Sequence, residues 1–141
     1  MTFKEWNAVI MIAVSAVVAV WVAFEAITNP AVGLAAIAGR LVWAIVINIV
    51  LNIAAIIVMS IVVSIARREE FKDERADERD RLINAKSMMA GYFVLSIGVL
   101  LVLIWQAFGL AANHAPYALF GISMLAGGAF AVSQIVQYRL S

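Results

Sequence analysis

The sequence predicts an all-α integral membrane protein with four transmembrane helices, both termini in the cytoplasm, and a charged cytoplasmic helical connection between spans 2 and 3. Three observations lead to this fold class. Of 141 residues, 65% are hydrophobic and only 13% are charged, whereas about a quarter of a soluble domain is charged. The apolar residues form four long runs. Thirteen of the nineteen charged side chains lie between residues 67 and 81.

The four runs lie at about residues 7–28, 38–66, 88–111 and 117–138. Each reaches the roughly 20 residues that a helix needs to cross a bilayer. Because lipid offers no partner to an unpaired backbone group, each run is predicted to be helical. The first run is longer than the ~7–15 residues of a signal-peptide core, so we interpret it as a retained span. Residues 1–141 then form a single membrane domain.

The connections follow from proline and from the distribution of basic residues. Pro30 and Pro116 are both expected in connections at the same side of the membrane, because proline resists helical continuation. If the N-terminus is cytoplasmic, nine of the ten Lys and Arg residues lie on that side, and only Arg40 lies on the other. This asymmetry is the one that orients membrane proteins. It predicts a multi-pass membrane protein with both termini in the cytoplasm.

Composition also excludes several classes of function. The chain has no cysteine and one histidine, His114, which removes thiolate chemistry and multi-histidine metal motifs. It carries no phosphate loop, nucleophile elbow or dinucleotide fingerprint, and no basic surface large enough for nucleic acid. We therefore expect no enzyme activity, no cofactor, no metal site and no direct binding of nucleic acid. Divalent cation binding by the acidic residues is disfavoured, since nearby arginines neutralise them.

The charged segment, residues 67–86, sorts its charges by sign when it is drawn as a helix. The basic line, which includes Arg79 and Lys86, is flanked by apolar side chains and suits anionic headgroups. The predicted membrane-surface residues are Arg68, Phe71, Lys72, Arg75 and Leu82. The opposite, acidic half suits a cytoplasmic partner, with candidate binding residues Glu70, Asp73, Glu74, Asp77, Glu78, Arg79 and Asp80. The alternative is a solvated helical hairpin stabilised by its own ion pairs.

Five polar residues interrupt the apolar runs or lie at their ends: Glu25, Arg40, Asn48, Asn52 and Gln106. Glu25 is predicted to pair with Arg40, or else to form a proton or cation site. The asparagines and the glutamine are expected to hydrogen-bond between helices, the alternative being a polar translocation path. Trp21 and Trp43 lie deeper than an aromatic belt requires. Stripes of small residues on the first and fourth spans allow close helix packing, either within the bundle or between copies in a homo-oligomer such as a homodimer.

The run Asp77-Glu-Arg-Asp-Arg-Leu-Ile83, followed by Lys86-Ser87 and the apolar residues 90–95, resembles a family of small prokaryotic four-span membrane proteins of unknown function. Members carry an Asp-Glu-Arg-Asp-x-x-Ile motif just before the third span. The resemblance covers about 20 residues and the layout of the spans. It implies that the protein is a multi-pass protein of the prokaryotic cytoplasmic (inner) membrane, and that Asp77, Glu78, Arg79 and Asp80 carry the family motif. It also implies that a small helix-turn-helix regulator is encoded nearby.

Two functions are compatible with these features. In the first, the charged segment docks a soluble cytoplasmic partner, such as a helix-turn-helix regulator, whose basic surface meets the acidic face. In the second, the protein is a small transporter of cations or lipophilic compounds that uses Glu25. Small multidrug exporters also have four short spans and an acid in the first, but Glu25 lies near the end of its span.

Overall fold

The computed structural model describes residues 3–67, 78–109 and 111–140, and all regular structure within them is helical. The helices are α1, Phe3–Thr28; α2, Leu34–Arg67; α3, Glu78–Ala107; and α4, Ala115–Leu140, which a short 3₁₀ turn, Ala112–His114, precedes. All four α-helices are long and apolar enough to cross a membrane. The predicted all-α fold with four candidate spans is thereby confirmed, whereas the orientation in the membrane stays a prediction.

The third helix extends further into the charged segment than its apolar run. It begins at Glu78, ten residues before the predicted start of the span, and Glu78 and Asp80 in its first turn complement the positive end of the helix dipole. It ends at Ala107, short of the predicted residue 111. Gly109 stops it there, with a φ of 96° and its N–H donating to the carbonyl of Gln106, an arrangement that favours glycine.

The two prolines have different positions. Pro30 lies in the connection between α1 and α2, as predicted. The prediction for Pro116 was wrong, because Pro116 lies in the first turn of α4. A proline is tolerated there since the N–H groups of the first turn have no partner within the helix. The second helix begins at Leu34, directly after Gly33, whose φ of 94° redirects the chain.

Helix α4 holds the bundle together. It packs against α3 over most of its length, against α1, and more lightly against α2, while α3 makes nearly all of its helix contacts with α4. Two ends of the bundle can be defined. The connection end holds the beginnings of α1 and α3 and the end of α4; the proline end holds the end of α1 and the beginnings of α2 and α4.

Small residues allow the closest approach, between α3 and α4. A Cβ atom built on Gly98 would lie 2.4 Å from Cγ2 of Ile122, and one built on Gly91 would lie 3.1 Å from the carbonyl oxygen of Ala126. Ala131 is completely buried. Backbones separated only by such residues gain van der Waals contact, which drives helix association in lipid.

The apolar core is small and lies towards the proline end. Its buried residues are Val18, Ile37, Leu41, Ala44 and Phe120. Most other large apolar side chains point outwards, and none of the most apolar stretch of α2 is buried. Lipid tails solvate such side chains as well as a protein core does, so this exposure fits a bundle surrounded by lipid.

Candidate functional site

At the connection end, polar contacts fix the beginnings and ends of three helices. The hydroxyl of Tyr138 donates a 2.9 Å hydrogen bond to Oδ1 of Asp80, which ties the first turn of α3 to the last turn of α4. Glu5, only 7% exposed, lies with its Oε1 3.8 Å from Nε of Arg139, which ties α1 to α4. The same turn of α4 therefore anchors both neighbours.

A second layer of polar contacts lies deeper, between α3 and α4. The amide of Gln134 donates to Oδ1 of Asn84 at 3.3 Å, and that of Gln137 donates to the hydroxyl of the fully buried Ser87 at 3.2 Å. These contacts were not predicted. The signal for them was present, since polar residues spaced by three lie near the same end of both helices, but the pairing depends on a helix register that the sequence does not display.

An open groove of about 700 Å³ runs beside this layer, between the beginning of α3 and the end of α4. Its lining combines charged and apolar side chains: Glu78, Arg79, Leu82, Ile83, Lys86, Gln137 and Leu140. Ile83 is buried, whereas Leu82 is 62% exposed. The cationic and apolar groups of α3 thus line one surface at the edge of the predicted membrane region.

Most of the predicted docking and membrane-surface residues lie outside the described residues. These are Arg68, Glu70, Phe71, Lys72, Asp73, Glu74, Arg75 and Asp77. Of the remainder, Glu78 and Arg79 are exposed, and Leu82 lines the groove. Asp80 is half-buried and accepts the hydrogen bond from Tyr138. One oxygen of its carboxylate therefore contacts α4.

At the proline end, Glu25 and Arg40 lie close together, with Oε1 and Nη1 separated by 3.8 Å. This distance is too long for a hydrogen bond. Arg40 also donates to the backbone carbonyl of Asn29, in the connection between α1 and α2. The predicted pairing of Glu25 with Arg40 is thus present as an ion pair, and both side chains are about one-third exposed or slightly more.

The ion pair forms part of a cavity of about 160 Å³. Its lining comes from three helices: Trp21, Val22, Glu25 and Ala26 of α1, Arg40, Leu41 and Trp43 of α2, and Tyr117 of α4. Three aromatic side chains therefore surround one carboxylate and one guanidinium. Trp21 and Trp43, which are deep for an aromatic belt, each lie about one turn from the charged member of their helix.

Two of the three remaining intramembrane polar residues contact each other in the middle of the bundle. The hydroxyl of Ser15 donates to Oδ1 of Asn48 at 3.4 Å, so Asn48 bonds between helices as expected. The amide of Asn52 instead donates within its own helix, to the carbonyl of Asn48 at 2.8 Å. Gln106 is half-buried near the end of α3, and its backbone carbonyl accepts a hydrogen bond from the backbone N–H of Gly109. These residues do not form one continuous polar row with Glu25.

Comparison with protein families, with curated proteins and with solved structures found no match to this chain.

Proposed function

We propose that the protein is a non-enzymatic membrane protein whose charged segment, residues 67–86, docks a soluble cytoplasmic protein. The observation that supports this most is that α3 continues from the apolar run to Glu78 without a break. Its first turn is tied to α4 through Asp80 and Tyr138. Residues 78–86 of the segment therefore belong to a helix that is anchored to α4, and a partner bound to them would be held beside the bundle.

The chemistry of the segment favours a basic partner. Seven acidic side chains lie between residues 69 and 80, and on a helix they occupy the half opposite the basic line. An acidic helical face offers complementary charge to a surface that binds phosphates. We propose a helix-turn-helix transcription regulator as this partner, which would be kept from its promoter while it is bound at the membrane.

The experiment is recovery of partners with the tagged protein in a gentle detergent. Asp73, Asp77 and Glu78 are changed together to lysine, and Asp80 is left intact because it contacts Tyr138. We expect a soluble DNA-binding protein to be recovered with the wild type and lost with this variant. The matched control reverses Arg68, Lys72 and Arg75 to glutamate and should retain the partner. Equal recovery from the wild type and the acidic-face variant would refute the proposal.

The cavity around Glu25 supports a second candidate, a small transporter of cations or lipophilic compounds. A carboxylate among aromatic side chains attracts organic cations. Expression in a susceptible bacterium should then protect growth against lipophilic cations, and Glu25→Gln should abolish the protection. Glu78→Gln, an exposed carboxylate at the other end of the bundle, is the control and should protect like the wild type. An unchanged phenotype with Glu25→Gln excludes this function.

A further inference from the structure

The cavity at the proline end combines three features that an aromatic belt alone does not require. Two tryptophans and a tyrosine line it, a carboxylate and a guanidinium share it, and its volume is about 160 Å³. Belt tryptophans and tyrosines are spread around a protein at headgroup depth. Here they converge from three helices on one charged pair.

The size of the cavity limits what can enter. A cavity of about 150 Å³ accommodates a molecule the size of benzene. Only a compact group therefore fits. Leu41, which lines the cavity, belongs to the buried apolar core, and Val22 and Tyr117 of the lining pack against that core. A larger ligand must leave most of its volume outside.

The charged residues that line the cavity, Glu25 and Arg40, favour a ligand with complementary charges. Tryptophan and tyrosine faces attract an alkylated ammonium within about 6 Å of the ring centroid, more strongly where water is excluded. The carboxylate of Glu25 keeps acceptor capacity towards it, because Arg40 lies 3.8 Å away and forms a hydrogen bond to Asn29 instead. Arg40 is in turn a partner for an anion, since guanidinium recognises phosphate.

We propose that this cavity binds the zwitterionic headgroup of a phospholipid, with the ammonium among Trp21, Trp43, Tyr117 and Glu25, and the phosphate at Arg40. A neutral pair of fixed charges is matched by a ligand that carries one charge of each sign. Both side chains of the pair lie near the ends of candidate spans, which is where headgroups are found. This inference is independent of the docking proposed for the charged segment.

The binding test uses the two tryptophans of the cavity as reporters. Trp6→Phe and Trp105→Phe remove the other two of the four tryptophans, neither of which lines the cavity. The purified protein in a maltoside detergent is titrated with glycerophosphocholine, tetramethylammonium and inorganic phosphate. We expect saturable quenching by glycerophosphocholine, about tenfold weaker binding of tetramethylammonium, and no response to phosphate. Absence of a saturable response to glycerophosphocholine would overturn the proposal.

Two variants separate the roles of the lining residues. Glu25→Gln should weaken the binding of both glycerophosphocholine and tetramethylammonium, by about tenfold. Arg40→Gln should weaken glycerophosphocholine to a similar degree and leave tetramethylammonium bound at least as well, because a competing cation is gone. If Arg40→Gln weakens the two ligands equally, the assignment of the phosphate to Arg40 is wrong.

A third titration identifies the source of the headgroup. Dihexanoyl phosphatidylcholine, which carries the same headgroup with two short acyl chains, should bind at least tenfold more tightly than glycerophosphocholine. The acyl chains would then lie against the exposed apolar surface beside Trp43, which is 67% exposed. Equal affinity for the two ligands would overturn the assignment to a lipid and indicate a soluble zwitterion.

Discussion

At Gly98, the absence of a side chain allows α3 and α4 to pack closely. The side chain of Ile122 occupies the space that a Cβ on residue 98 would need, because Cγ2 of Ile122 would lie 2.4 Å from such an atom. Isoleucine is branched at Cβ and has one strongly preferred rotamer in a helix. The neighbour therefore has little freedom to move away.

Gly98→Ala is expected to destabilise the bundle by about 1–3 kcal/mol, because overpacking forces a shift of the helices or an unfavourable rotamer. The measurement is SDS-driven unfolding of the purified protein followed by circular dichroism. Gly128→Ala is the control. No neighbouring atom lies within 4 Å of a Cβ built there, so the change should be neutral or stabilising by up to about 1 kcal/mol.

Removal of the obstructing side chain provides a second check. In the double variant Gly98→Ala/Ile122→Ala, the clash is gone, so part of the stability lost in Gly98→Ala should return relative to Ile122→Ala alone. A non-additive result of this kind is what residues in direct contact show. Strict additivity would contradict the contact.

At the scale of the helix, the beginning of α3 depends on α4. The first turn consists of charged residues with few apolar neighbours, and the hydrogen bond from Tyr138 to Asp80 ties it to the bundle. Ile83 and Ser87, both buried, follow on the same side of the helix. The hydrogen bond of Tyr138 therefore holds the first described turn of α3 against α4.

Tyr138→Phe should speed amide hydrogen exchange over residues 80–90 by about fivefold, which corresponds to the loss of a hydrogen bond contributing about 1 kcal/mol. Exchange in the middle of α3 should stay unchanged, because the glycine contacts hold it there. The measurement is hydrogen exchange followed by mass spectrometry in detergent. Tyr92→Phe, at a 68% exposed position of α3, serves as the control. Equal rates in both variants would show that this hydrogen bond does not hold the first turn.

At the scale of the molecule, the predicted orientation places the proline end of the bundle on the outer side of the membrane. The chain has no cysteine, so single cysteines can report the side of each connection. Val32→Cys, at a 93% exposed position, and Asn113→Cys should react with a membrane-impermeant maleimide in intact cells. Ala76→Cys should react only after the membrane is opened. The reverse pattern would invert the orientation, and mixed reactivity at one site would indicate dual insertion.

The features that could be predicted from the sequence are those that a lipid environment and short connections impose on each segment. Four apolar runs must be helical, and Glu25 and Arg40 must lie close because only a short connection separates their helices. Residues 78–86 of the charged segment, which was predicted to be helical, lie in α3. The hydrogen bonds of Asn84 and Ser87 could not be predicted, because they depend on how α3 is placed along α4. Glu25, Trp21 and Trp43 each stand out in the sequence. Their presence in one cavity could not be predicted, because it depends on how α1, α2 and α4 pack together.

Helix α4 is synthesised after the three helices that it contacts, so its central role in packing affects the order in which the bundle assembles. Helices α1 and α2 can pair as soon as both are inserted, through Val18, Leu41 and Ala44. Helix α3 enters the membrane next, but almost all of its helix contacts are with a segment that the ribosome has yet to make. It must therefore wait in lipid as a separate helix, with Gly91 and Gly98 uncovered. The polar contacts of Asp80 and Glu5 at the connection end need the last turn of α4, so they form only after α4 has joined the bundle.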